Sequence, residues 1–252
     1  MLKQERLDRI VSLVNEQGTI TVSEMAHSIG VSEMTIRRDL TELNEKNKLI
    51  RVHGGAQSLD SSYNFEKNFS EKREIHVREK QEVATKAAKL AQDNETIYVG
   101  PGTTLEFMVA KLNQKHLRII TNSLPVFKMA RDNPNNYEII LIGGPYRRTS
   151  GACIGTLAEA EIKSMSYDRA FIDVNGIINN SLMTANMEEG LTEKIALDQS
   201  RNKIIVTDKF KFDRTDFYKF YDLSSVDQVI TNKNINPIIM KKYSQYARVD
   251  NT

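Results

Sequence analysis

Tryptophan is absent from this 252-residue chain, proline occurs five times and cysteine once. The lone Cys153 cannot close an internal disulfide and cannot by itself build a metal site, so neither a metal nor any other cofactor is expected. Apolar runs are short, none approaching the roughly 18 residues of a membrane span. The opening MLKQERLDRI is charged and amphipathic, without the apolar core of a signal peptide, which points to the cytoplasm. Excess charge is missing too: 35 Lys and Arg against 33 Asp and Glu leave +2. Residues 1–60 hold eight basic and nine acidic side chains, so the overall basic footprint of a nucleic-acid binder is not there. What remains is ordinary globular composition, 40% hydrophobic and 27% charged, at a length that fits a small domain followed by a medium one.

What is present is local pattern. Leu7, Ile10, Val11 and Val14 form one helical stripe ending near Gly18. Thr21 and Glu24 have capping-box spacing before a second stripe of Val22, Met25, Ala26 and Ile29, and Gly30 suits the turn after it. Ser32 then caps a third helix whose buried side is Ile36, Leu40 and Leu43. Two short helices across a tight glycine turn form a helix-turn-helix. Asn47 falls where the chain must leave the helix left-handed, and Leu49–Val52 alternate like a wing strand before the Gly54-Gly55 bend. Arg37, Arg38, Lys46, Lys48 and Arg51 crowd into fifteen residues here, which is what local phosphate contacts need. Polar side chains early in a recognition helix reach base edges, so Ser32, Glu33, Met34, Thr35, Arg37 and Arg38, with Arg51 and His53 of the wing, are the DNA-binding candidates.

A polar, charged stretch follows, read as a linker over residues 58–80 between a winged helix-turn-helix (1–57) and an α/β domain (81–252) that binds an effector and oligomerises. Val83, Ala87, Leu90 and Ala91 introduce that domain as a helix. Six β-branched runs follow, at 96–99, 118–121, 138–142, 170–174, 203–207 and 228–231, most of them separated by helical patterns. This alternation predicts a mostly parallel sheet covered on both faces, with ligands outside the carboxyl ends of its strands. There the chain places Gly100-Pro101-Gly102-Thr103-Thr104 ahead of a helix over 105–112, and Thr121-Asn122-Ser123 ahead of another, with Pro125 in its first turn. Gly143-Gly144 leads to Arg147-Arg148, and Asp208-Lys209-Phe210-Lys211 ends the fifth strand. Each motif alone also fits a well-capped turn or a solvated loop. Together they gather hydroxyls, backbone N–H groups and a cation at one sheet edge, which suits a phosphorylated polyol.

VSEMTIRRDL followed by RVHGGA resembles the amino-terminal signature of the DeoR family of bacterial repressors, with Asn47 where that family usually has glycine. GPGTT, TNSLPV, LIGG, DRAFIDVNGI and DKFKF are similar, in order, to its effector-domain blocks, so the resemblance spans essentially the whole chain. It implies a body resembling ribose-5-phosphate isomerase that takes a sugar phosphate as inducer. Gly102, Thr103, Thr104, Thr121, Asn122 and Ser123 would hold that effector, Lys211 would match the motif lysine, and Glu189 would accept from sugar hydroxyls. Gly190 stands where the family has alanine, which questions the local helix geometry. The Gly100-Pro101 variant with TNSLPVF looks most like the lactose-linked branch, whose inducer is tagatose 6-phosphate.

The reading is therefore a repressor of a sugar operon, not an enzyme, with operator DNA, a phosphorylated sugar and its own copies, as dimer or tetramer, for partners. A sugar-phosphate isomerase with an appended helix-turn-helix is the alternative, with Glu189 its conceivable base. His116, the only histidine in the body proper, stands at the start of a strand, away from the carboxyl ends.

Overall fold

A computed structural model describes residues 3–17, 19–52, 54–58 and 67–251. They fall into two compact units, 1–65 and 66–252.

The first unit contains α1 (Lys3–Gln17), β1 (Thr19–Thr21), α2 (Val22–Ile29), α3 (Glu33–Glu45), β2 (Ile50–Val52) and β3 (Gly55–Gln57). Thr21 and Glu24 close the capping box ahead of α2. Gly30 turns the chain at φ 76°, which a side chain would resist, and Ser32 Oγ accepts from the Thr35 amide to start α3. Leu7, Ile10 and Val14 of α1 bury against Met25, Ile36, Leu40 and Leu43. Asn47 takes the expected left-handed conformation, φ 52°. The wing is a three-stranded sheet in the order β1-β3-β2, its first strand unforeseen because three residues carry no readable period.

In the second unit come α4 (Phe69–Glu74), α5 (Val77–Ala88), β4 (Thr96–Val99), α6 (Thr103–Val109), β5 (Arg118–Thr121), α7 (Leu124–Arg131), β6 (Glu138–Leu141), β7 (Tyr146–Arg147) and β8 (Ala152–Cys153). These are followed by α8 (Thr156–Lys163), β9 (Tyr167–Ile172), β10 (Gly176–Ile178), β11 (Ser181–Thr184), α9 (Met187–Asp198), β12 (Ser200–Val206), β13 (Tyr218–Asp222), β14 (Gln228–Ile230), α10 (Pro237–Tyr243) and β15 (Arg248–Asp250). Within the stretch read as linker, residues 69–74 and 77–80 are helical and belong to the second unit. Asn68 and Glu71 cap α4, Phe69 N–H donates to the Thr149 carbonyl, and Arg73 pairs with Glu106 at 2.9 Å.

Seven strands form one parallel sheet, ordered β15-β14-β12-β9-β4-β5-β6. All six expected strands belong to it, several shifted by up to three residues. Alternate residues feed two cores. Ile97, Val99, Ile119 and Phe171 pack with Val83, Leu105 and Met108 on one face. Tyr98, Ile120 and Ile172 pack with Ala158, Ile162 and Leu197 on the other. Burial on both faces explains why the inner strands β4, β5 and β9 read as continuous apolar or β-branched runs, whereas β6 at the edge is partly exposed. A three-stranded antiparallel sheet (β10-β11-β13) and the β7–β8 hairpin complete the body.

Candidate functional site

In the first unit, α3 buries Ile36, Asp39, Leu40 and Leu43 and leaves Ser32, Glu33, Met34, Arg37 and Arg38 exposed; Thr35 is half-buried. Met34 is 61% exposed, unusual for a large apolar side chain and suited to a thymine methyl. The acidic side chains are set aside by pairing. Asp39 Oδ2 accepts from Arg6 Nε at 2.6 Å, and Glu42 is brought down to about 2 by Lys3, then Lys46. Arg37 is held by Glu33 at 3.1 Å, whereas Arg38 has no ion pair among the described residues. Arg51 donates to Thr41 Oγ1 at 2.8 Å, which ties the wing to α3. His53 lies outside the described residues.

In the second unit, the carboxyl ends of β4, β9, β12 and β14 lie side by side. After β4 the chain turns at Gly102, φ 154°, where a Cβ would come within 2.7 Å of the Asp173 side chain. Thr103 and Thr104 follow, both buried, and Thr104 Oγ1 has no hydrogen-bond partner. Thr207 Oγ1 and Asp208 Oδ2 after β12, and Thr231 Oγ1 after β14, are likewise enclosed without a partner. Polar atoms left this way inside a protein cost about 1–3 kcal/mol each, a cost that a ligand's hydrogen bonds would relieve.

Charges surround the same loops. Burial brings the half-buried Lys211 ammonium down to about 8, against the pull of Asp208 and Asp173. Burial likewise lowers Lys80, which faces Asp173, Asp208 and Lys72 and donates to the Lys72 carbonyl. Asp173 is raised by burial, with Lys211 and Lys80 opposing. His76 opens α5 in the left-handed region, stacks on Phe210 at 3.8 Å, and has its pKa lowered by burial, with Asp208 opposing. Glu79 acts on that histidine. Lys80 and Lys211 thus face Asp173 and Asp208, with Lys72 beside both lysines and Arg214 beside Lys211, a gathering of cations able to meet a phosphate. Of this group only Lys211 was expected. The others sit up to a hundred residues or more from it in sequence, and residues 72–80 read as linker.

The remaining expected residues are placed differently. Thr121, Asn122 and Ser123 are buried, and their side chains bond within the chain. Asn122 Oδ1 accepts from Tyr98 Oη and its Nδ2 donates to the Cys153 carbonyl, both at 2.8 Å. Thr121 Oγ1 accepts from Ser123 N–H, and Ser123 Oγ accepts from Val126 N–H. Glu189, in the first turn of α9, is buried and accepts from Arg147 Nη1 at 3.1 Å. The α9 helix is regular through Gly190, where a Cβ would stand 2.8 Å from Phe220 and Tyr218. His116 precedes β5 at the amino end of the sheet. An open groove of about 410 Å³ at the β7–β8 hairpin, lined by Phe69, Pro125, Tyr146 and Arg148, holds none of the expected effector residues. No group of side chains suited to a metal occurs among the described residues, and no described helix is long and apolar enough to cross a membrane.

Residues 6–62 match the DeoR-like helix-turn-helix domain and residues 75–233 the DeoR C-terminal sensor domain. The lactose phosphotransferase system repressor of Lactococcus lactis subsp. lactis is 38% identical over 252 residues, covering 99% of this chain and 98% of that protein. That of Streptococcus mutans is 36% identical over the full length of both. Among solved structures, ribose 5-phosphate isomerase A from Neisseria gonorrhoeae overlaps 53% of this chain and 52% of its own, with 16% identity and a TM-score of 0.39. A likeness of that extent bears on neither ligand nor activity.

Proposed function

Because the chain belongs to the DeoR family, with both its helix-turn-helix and its sensor domain, we propose that it represses a sugar-utilisation operon and leaves its operator when a phosphorylated sugar binds the body. The observation that carries this reading is the gathering of Lys80, Lys211 and Arg214 at the strand ends, beside buried hydroxyls that lack partners among the described residues. A phosphate ester pairs with these cations, and the sugar supplies donors and acceptors for the enclosed oxygens. Gly102, Thr103, Thr104, Lys72, Lys80, Asp208 and Lys211 form the effector pocket. Thr121, Asn122 and Ser123 frame it from the neighbouring strand end, and Glu189 acts through its pair with Arg147. The lactose-system relatives and the Gly100-Pro101 variant make tagatose 6-phosphate the effector of first choice.

In the head, Ser32, Glu33, Met34, Thr35, Arg37 and Arg38 of the α3 region read the major groove, and Arg51 and His53 of the wing hold the backbone. A dimer or tetramer presents two such helices about 34 Å apart, one turn of duplex. The effector has to favour the released arrangement by a few kcal/mol, since equal affinity for both arrangements shifts nothing.

Calorimetric titration of the protein with tagatose 6-phosphate and with fructose 6-phosphate tests the pocket. Saturable binding that is lost in Lys80→Ala and Lys211→Ala is expected. Binding that survives both substitutions unchanged would remove the pocket from this place in the fold.

A further inference from the structure

Asp173 is out of place in a pocket that takes a phosphate. It follows β9, the central strand, and its side chain abuts Gly102, with Oδ2 3.0 Å from where a Cβ on that glycine would stand. Its Oδ1 accepts from the Val174 amide at 2.8 Å, which fixes the carboxylate and leaves Oδ2 turned toward the Gly102-Thr103 turn. A carboxylate only accepts hydrogen bonds when ionised, so it repels a phosphate oxygen and attracts a hydroxyl. Burial raises its pKa, as does Asp208, while Lys211 and Lys80 face it and oppose that rise. The body therefore sets cations that attract an anion and a carboxylate that repels one within one small site, an arrangement matched by a ligand with a phosphate at one end and hydroxyls beside it.

We propose that Asp173 is the specificity-determining residue of the pocket, accepting hydrogen bonds from hydroxyls of the sugar chain and thereby separating sugar phosphates from bare phosphate. This rests on the pocket described under the proposed function. The carboxylate positions the hydroxylated carbons while Lys80 and Lys211 hold the phosphate. Hydroxyl contact repays the repulsion that inorganic phosphate meets without compensation.

The test measures dissociation constants of tagatose 6-phosphate and of inorganic phosphate for the full chain and for Asp173→Asn, which keeps the size and removes the charge. The sugar phosphate is expected to weaken about tenfold or more, in line with a hydrogen bond to a charged group, while inorganic phosphate binds as well or better. Equal weakening of both ligands would make Asp173 a structural residue and overturn the proposal. Should the variant fail to fold, a hydroxyl-free alkyl phosphate titrated into the unaltered protein decides instead. It is expected to bind no tighter than inorganic phosphate, and affinity matching tagatose 6-phosphate would overturn the proposal. Failure of the unaltered protein to bind either phosphate compound would overturn the pocket, and the proposal with it.

Discussion

Tyr98 Oη donates to Asn122 Oδ1 at 2.8 Å, with both side chains buried. Through Asn122 Nδ2 the bond continues to the Cys153 carbonyl, so strands β4 and β5 and the β7–β8 hairpin are tied by one amide. Tyr98→Phe leaves the Asn122 oxygen enclosed and unpaired, at a cost of about 1–3 kcal/mol. The expected result is a lower denaturant midpoint with unchanged sugar-phosphate affinity at temperatures where the variant is folded. A selective loss of affinity at full stability would place Asn122 in contact with the effector after all.

Thr104 carries the opposite expectation. Its hydroxyl is buried without a partner, so Thr104→Val removes an unsatisfied group while nearly preserving shape. Chemical denaturation is expected to show stability unchanged or raised by about 1 kcal/mol. The concentration of effector needed to release operator should rise about tenfold. Lower stability together with a normal response would mean that the hydroxyl serves the fold.

On α3, Arg37 is tethered to Glu33 and Arg38 is not, yet both stand on the exposed side of the helix. Arg37→Ala and Arg38→Ala are each expected to weaken operator binding by about 1–3 kcal/mol, the range of a base-edge contact. Calorimetry should find effector affinity unaltered in both, because the substitutions lie in the other compact unit. Fluorescence anisotropy at one fixed salt concentration reads the first effect. Wild-type operator affinity in both variants would move recognition away from α3.

The pH dependence follows from Lys211, which burial lowers to about 8. A bound phosphate dianion favours the ammonium and raises its pKa, so binding takes up a proton wherever free Lys211 is neutral. Below about pH 6 the phosphate itself begins to protonate and affinity declines. Affinity should therefore be flat near pH 7 and fall above pH 8, by up to about tenfold per unit. Titrations at pH 7, 8 and 9 in two buffers of different protonation enthalpy measure both the fall and the proton uptake. A flat profile through pH 9 would separate Lys211 from the phosphate.

Much of this fold was readable because its signals are local. The Thr21–Glu24 capping box, the Gly30 turn, the Ser32 cap and the left-handed Asn47 each follow from a few adjacent residues. Strands buried on both faces announce themselves as β-branched runs. The antiparallel sheet does not, since Ser181–Thr184 pairs with Tyr218–Asp222, which lies over thirty residues further on, and neither run is strictly periodic. The site divides in the same way. Gly102, Thr103, Thr104 and Lys211 carry their chemistry in their own motifs. Lys80, His76 and Asp173 gain theirs only when α5 packs near the ends of the strands, and their neighbours in sequence do not hint at it. For Asn122 the motif displays a polar group, but its bonds to Tyr98 Oη and the Cys153 carbonyl come from distant strands and are not written beside it.

Operator-fragment binding at fixed salt, without sugar and with tagatose 6-phosphate or its epimer fructose 6-phosphate, tests the proposed sugar-released repressor most directly. Tight binding that tagatose 6-phosphate releases and fructose 6-phosphate does not is the predicted result. Operator binding indifferent to both sugars, or no sequence-specific binding at all, would contradict it.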